Sequence, residues 1–415
     1  MSAGHVRQLF ASSHGDDPLF APVDGANCPN AAQRDAAGHS LLLGNGLIRV
    51  AITLPADTEF DITPVYDPYG CAVTLDPKTA RRIIAVYRRP LPSTNLGFLS
   101  TVMWDGRETL KPLNNESNFK ENLFSDLKHQ ALDATLGHAQ ASSPPSDEQL
   151  SEIVNFELGL FTAQVSDDRA GPLFMGGGQG GPLHLSAQSY YPGINDSLGH
   201  DPHGGKFDPQ VFTLYVPWLD DSALENQQAA ATARAARADI AAGEQLFNTV
   251  PLKITAVRGL NDNPALGDPK EIDGTCTTCH DAPGVGDHSL PLPLDIATSH
   301  STQNEADPNI AAALAELELP NLPIYLVSNC PDPANPGQTL RFYTSDPGKA
   351  LISGKCSDVN RIKGPILRSL AARAPYFHNG AAANLKELVD FYNKRFQMQL
   401  TDKQKRQLVA FLNSL

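Results

Sequence analysis

Clear hydrophobic periodicity is confined to a few stretches of this chain. From Asp147 to Phe161 (DEQLSEIVNFELGLF), Leu150, Ile153, Val154, Leu158 and Phe161 recur at helical spacing. Ser146 stands where an N-cap belongs. Asp147 and Glu148 in the first turn suit the positive end of a helix. An Ala-rich stretch from Ser222 to Phe247 predicts a second helix, and residues 76–165 read as helical in pieces. β-like alternation occurs around Gly and Pro in Leu41–Thr53 and Phe60–Val65, which predicts a short hairpin in a loop-rich region over 1–75. Residues 166–220 are rich in Gly, Pro, Asp and His and read as a linker or long loop. No repeat with a period of 20–50 residues is present. The pattern predicts a mainly α protein with long loops and a small β-hairpin region. Its parts are 1–165, 166–220 and 221–415.

A length of 415 residues favours two domains over one. The 33 Pro and 32 Gly agree with long irregular connections. Lys and Arg number 32 against 46 Asp and Glu, a formal net charge of −14, which argues against nucleic acid or an anionic membrane as partner. No run of about 18 apolar residues exists, so no membrane span is predicted. Met1 to Leu9 shows no apolar signal-peptide core.

The sharpest chemistry lies at Cys276-Thr277-Thr278-Cys279-His280, a Cys-x-x-Cys-His motif. Two thiols separated by two residues on one turn reach the two vinyl groups on one haem edge. The next residue, His280, then lies under the iron as proximal ligand. A zinc site would need a second pair of ligands at similar spacing, and none follows. A thioredoxin-like pair would need a strand before it and a helix after it, whereas this motif lies in a Gly- and Asp-rich loop. One covalent haem c is therefore predicted. Such haem is attached outside the bacterial cytoplasm, so a periplasmic location is expected. Cys28, Cys71, Cys330 and Cys356 remain, and an even remainder in an exported protein points to disulfides. Sequence proximity favours Cys28–Cys71 and Cys330–Cys356; free buried thiols are the alternative. For the other face of the iron, Met398, His378 and Tyr392 are the candidates. His184, His200 and His203 read as surface histidines of the long loop.

Several further segments resemble one family. These are Lys363-Gly364-Pro365-Ile366-Leu367-Arg368-Ser369-Leu370, Ala374-Pro375-Tyr376-Phe377-His378-Asn379-Gly380, Leu385 to Tyr392, and, upstream, Leu99 to Arg107 with its Trp104-Asp105-Gly106-Arg107. Together they are similar to the bacterial di-haem cytochrome c peroxidases and MauG, over roughly 80–165 and 240–415. Gly243 to Phe247 is a common entry into a cytochrome c domain. The resemblance implies two cytochrome-c-like helical domains. The N-terminal haem meets peroxide, the C-terminal haem passes electrons or stores oxidising equivalents, and Trp104 lies between them. It also implies a polar side chain in the peroxide pocket. Allowing an insertion, that position matches Gln130 to Gln140, with His138 as distal acid/base and Gln130 nearby. Tyr392 lies fourteen residues after His378, where the peroxidases carry a Met ligand and MauG a Tyr, so the resemblance implies His280/Tyr392 ligation.

Two features depart from the family. No Cys-x-x-Cys-His precedes Trp104, and no Asn near Arg89-Pro90 matches the ligand of the family's shared Ca²⁺. The expectation is that a longer product carries a leader and a second haem motif. The expected activity is peroxide-dependent oxidation or peroxide reduction, with hydrogen peroxide and a redox protein as partners and electrons passing through the C-terminal haem. The alternatives are a non-enzymatic electron-transfer cytochrome and a haem-bearing structural relic.

Overall fold

The computed structural model describes residues 2–220, 231–333 and 335–415. It corrects the expected mainly α class: the protein is 33% helix and 15% strand, with several small sheets. Strands β1 (Ile48–Thr53), β2 (Asp61–Tyr66), β3 (Val73–Leu75) and β4 (Arg82–Arg88) come from the N-terminal region. Two short pairs follow, β5 (Ser166–Asp167) with β6 (Gly171–Pro172), and β7 (Leu252–Thr255) with β8 (Glu271–Gly274). The rest are β9 (Pro293–Leu294), β10 (Ile324–Pro331), β11 (Thr339–Thr344) and β12 (Ile362–Lys363).

The two β-like stretches of the N-terminal region do form strands, but they do not form a hairpin with each other. One sheet runs β1-β4-β3 and another β11-β10-β2, all antiparallel. The cause lies in β4 and β10. β4 reads Arg-Ile-Ile-Ala-Val-Tyr-Arg and is buried from Ile84 to Arg88 without alternation. A strand covered on both faces carries no period-two signal and reads as a helix fragment. The β10 residues Tyr325 and Val327 pack with Ile62, Ile84 and Val86 in one core. Tyr325 Oη donates to the carbonyls of Ala85 (2.5 Å) and Ala72 (3.1 Å) and so ties the two sheets together.

Both disulfides favoured by proximity are present, Cys28–Cys71 and Cys330–Cys356. The helix predicted at Asp147 runs Asp147–Leu158, with a full capping box between Ser146 and Gln149. It lies against Phe119–Gly137 and buries Leu150 and Val154, while Ile153 is left exposed. Of the predicted Ala-rich helix, residues 221–230 lie outside the described residues, and the helix is described from Ala231 to Thr249. It crosses the last helix, Asp402–Asn413, at Gly243, where a Cβ would lie 2.0 Å from the Gln407 carbonyl oxygen. Only glycine allows that approach. Residues 166–220 are mostly irregular, yet Leu173, Phe212, Tyr215 and Trp218 from this stretch enter the largest hydrophobic core. Among the described residues, no helix is long and apolar enough to cross a membrane.

Candidate haem site and the facing cavity

The haem motif sits on a 3₁₀ turn, Cys276–Thr278, directly after β8. The amides of Cys279 and His280 both donate to the Cys276 carbonyl, at 3.2 Å each, so two thiols and one imidazole project from a single turn. Cys276 and Cys279 are unbridged, in contrast to the four disulfide cysteines. His280 Nδ1 donates to the Gly286 carbonyl oxygen at 2.6 Å. That bond fixes the tautomer and leaves Nε2 with its lone pair for iron. Burial pushes the His280 pKa down to about 4, which keeps the imidazole neutral, and raises both thiols to about 12.

All three face a mainly apolar cavity. Across it runs the helix Leu385–Arg395, begun by the Asn384 cap, whose side chain accepts from Glu387 N–H. Its Leu388, Val389 and Tyr392, with Phe396 just beyond, fall at helical spacing and line the cavity. The Tyr392 hydroxyl has no hydrogen-bond partner among the described residues, and burial pushes its pKa up. Met398 also lines this cavity. His378 reaches the wall too, but its Nε2 lies 3.1 Å from Ser299 Oγ and is engaged there. A Cβ added at Gly364 would meet only open space. Unbridged thiols, a free imidazole nitrogen and an unpartnered phenol around an apolar cavity fit haem c.

Trp104, Lys363 and Pro365 line this cavity and also a second one, of about 560 Å³. The Trp-Asp-Gly-Arg segment is tied to the end of β4. Trp104 Nε1 donates to the Arg89 carbonyl at 2.7 Å, and Asp105 takes the Arg88 and Arg107 guanidinium groups. Arg88 is almost fully buried and also pairs with Asp346 at 2.6 Å. Lys363 completes the clamp, donating from its amide to the Trp104 carbonyl (3.0 Å) and from Nζ to the Thr101 carbonyl (2.6 Å).

Gln130 and His138, separated in sequence from Trp104 by more than a helix turn, both line the second cavity with it. His138 Nδ1 lies 2.5 Å from Asp24 Oδ2, and that hydrogen bond raises the His138 pKa. Sequence reasoning missed Asp24, which comes from a loop 114 residues away and carries no local signal. It also missed Lys363 as a wall of both cavities, although its motif was recognised. Arg88, Arg89 and Lys363 line this cavity together with the carboxylates Asp24 and Glu157. The loop histidines lie outside both cavities: His184 is exposed, His200 pairs with Asp196 at 2.9 Å, and His203 pairs with Glu116 at 3.0 Å.

A cytochrome of the covalent-haem class is what this donor set suits, and comparison with known proteins narrows the class. No family model matches the chain. It is similar to cytochrome-c peroxidase IdrP2 of Denitromonas iodatirespirans, 30% identical over 154 residues, covering 34% of this chain and 36% of that protein. Cytochrome-c peroxidase IdrP2 of Pseudomonas sp. (strain SCT) is 28% identical over 197 residues, covering 42% of this chain and 49% of that protein. The matches thus span about a third to a half of these two relatives. The structure of a MauG-like protein associated with microbial copper homeostasis aligns over 83% of this chain and 79% of that one, at 15% identity and a TM-score of 0.31. The peroxidase matches bear out the resemblance to the di-haem peroxidase and MauG superfamily, whose members imply haem c.

Proposed function

We propose that this chain is the haem-c-bearing part of a periplasmic di-haem peroxidase or MauG-type oxidoreductase, and that it acts in peroxide reduction or peroxide-dependent oxidation. The observation that carries this reading is Trp104, which lines both the haem-motif cavity and the cavity holding Gln130 and His138. When bound, haem supplies the iron centres that take up and release electrons. The chain's own residues do the rest. Cys276, Cys279 and His280 would hold the C-terminal haem, and Tyr392, which lines the same cavity, would offer a further ligand to its iron. Trp104 carries electrons across the shared wall, held in place by Arg89 and Lys363. Each peroxide needs two electrons and two protons to become two waters. His138 Nε2, with Nδ1 engaged by Asp24, holds and delivers a proton to the departing oxygen, and Gln130 orients peroxide. The second cavity is the proposed place of a second haem.

The test is steady-state turnover of hydrogen peroxide with a reduced electron donor, using protein that carries both haems. Sustained turnover that fails on replacement of Trp104 by Phe supports the proposal. A protein that exchanges electrons but never consumes peroxide would defeat it. Met398, which shares the haem cavity, favours the second reading, a simple electron-transfer cytochrome.

A further inference from the structure

Three buried side chains gather the loop that aims His280, and no step above uses them. Asp281 directly follows the proximal ligand, His288 ends the same loop, and Asp196 arrives from the irregular stretch before it. Their exposures are 0%, 4% and 1%. His288 Nε2 lies 3.2 Å from Asp281 Oδ2 and 3.8 Å from Asp196 Oδ1. One ligand atom from each residue falls within 4.8 Å of the other two. The group is held from outside. Ser289 and Ser197 amides donate to Asp281 Oδ1 (2.7 Å) and Oδ2 (3.0 Å). The His200 amide and Nδ1 hold Asp196 Oδ2, at 2.7 and 2.9 Å. His288 Nδ1 lies 3.2 Å from the Leu290 carbonyl oxygen. This leaves two inward atoms, Asp196 Oδ1 and His288 Nε2, buried and without any hydrogen-bond partner.

We propose that Asp196, Asp281 and His288 bind one divalent cation of the zinc class. Charge supports this first. Two buried carboxylates face one imidazole, and unbalanced negative charge there is costly. A divalent cation with neutral imidazole balances it. Geometry supports it next. Ligands about 2.0–2.2 Å from zinc lie no more than about 4.4 Å apart. The two separations from His288 Nε2, 3.2 and 3.8 Å, satisfy that limit, and the two carboxylates lie within 4.8 Å of each other. His288 Nδ1 faces both the Leu290 carbonyl oxygen (3.2 Å) and the Leu290 amide (3.3 Å), and in the tautomer that donates to the carbonyl Nε2 carries the lone pair, as in carbonyl-oriented metal histidines. One imidazole and two carboxylates leave a fourth position for water. Ca²⁺ takes about six to eight oxygen ligands, which this site does not offer. The cation pins both ends of the loop whose Gly286 carbonyl orients His280. It is therefore a positioning element for the proximal ligand.

The test uses the haem-loaded chain, stripped with EDTA, incubated with Zn²⁺ and passed through gel filtration. Metal content is measured by mass spectrometry and affinity by chelator competition. One zinc per chain is expected beyond haem iron. Asp196→Asn and His288→Gln should each weaken binding at least tenfold while the Soret band and circular dichroism stay unchanged. Zinc removal should also shift the haem reduction potential in the parent chain and not in the two variants. Failure of the folded parent chain to retain zinc overturns the site. Equal retention by both variants overturns it as well, by placing the metal elsewhere. Retention of Ca²⁺ in place of Zn²⁺ overturns the zinc-class assignment.

Discussion

The two cavities that meet at Trp104 are built in opposite ways. The haem-motif cavity takes its thiols and proximal imidazole from five consecutive residues on one turn, and its walls are mostly apolar. The second cavity draws its polar groups from Asp24, Arg88, Gln130, His138 and Lys363, spread over most of the chain. The difference is chemical as much as topological. Covalent attachment needs a fixed short spacing, which one turn supplies. The proposed proton delivery needs a polar side chain held in place by whatever lies nearby, and His138 is held by the Asp24 carboxylate.

The largest expected effect breaks the first cavity alone. Replacing Cys276 and Cys279 by Ala should abolish covalent haem, read as complete loss of the pyridine haemochrome after acid–acetone extraction. Haem that survives extraction in the double variant would refute the attachment site. Trp104→Phe comes next and severs the two sides. Haem content should be unchanged while peroxide-driven turnover falls at least tenfold, about 1.4 kcal/mol of barrier; unaltered turnover would remove Trp104 from the route.

Tyr392→Phe should then raise the reduction potential and change the ferric spectrum, since a phenolate favours the higher oxidation state more than a thioether does. Met398→Leu should do neither, and the reverse pattern would assign the ligand to Met398. The smallest effect is on the second cavity. The Asp24 hydrogen bond raises the His138 pKa, so His138 stays protonated to higher pH and acts as an acid until pH passes that value. Asp24→Asn should lower that pKa and move the falling limb of kcat/KM to lower pH. The same pairing contributes stability that is complete below the unfolded value of about 6.5 and is lost as pH rises through the raised folded value. A limb that does not move would exclude His138 as the proton donor.

Local chemistry was legible in the chain and sheet pairing was not. The helix at Asp147 was readable because Ser146, the acidic Asp147 and Glu148, and the apolar Leu150 and Val154 all act within four turns. The strand β4 was missed because burial from Ile84 to Arg88 erases alternation, whereas β10 keeps an alternating burial from Ile324 to Val327. One partner of β10 lies far away, with β2 pairing it across more than 250 residues (Ile324 opposite Tyr66). The phenol of Tyr392 was marked by its spacing from His378, whereas its lack of a partner emerges only when the helix is placed beside the motif.

By itself the sequence marked the Cys-x-x-Cys-His turn, favoured both disulfide pairings, and carried the capped helix and the similarity to cytochrome-c peroxidases. The turn and the helix depend on short spacings, and the disulfides join cysteines 43 and 26 residues apart, each within one half of the chain. Only the tertiary structure decided that Trp104 and Lys363 wall two cavities, that Asp24 engages His138, and that Asp196 meets Asp281 and His288. Those contacts join residues whose separation in the chain carries no periodic or local signal. They exist because packing of the buried cores brings distant loops within hydrogen-bonding distance.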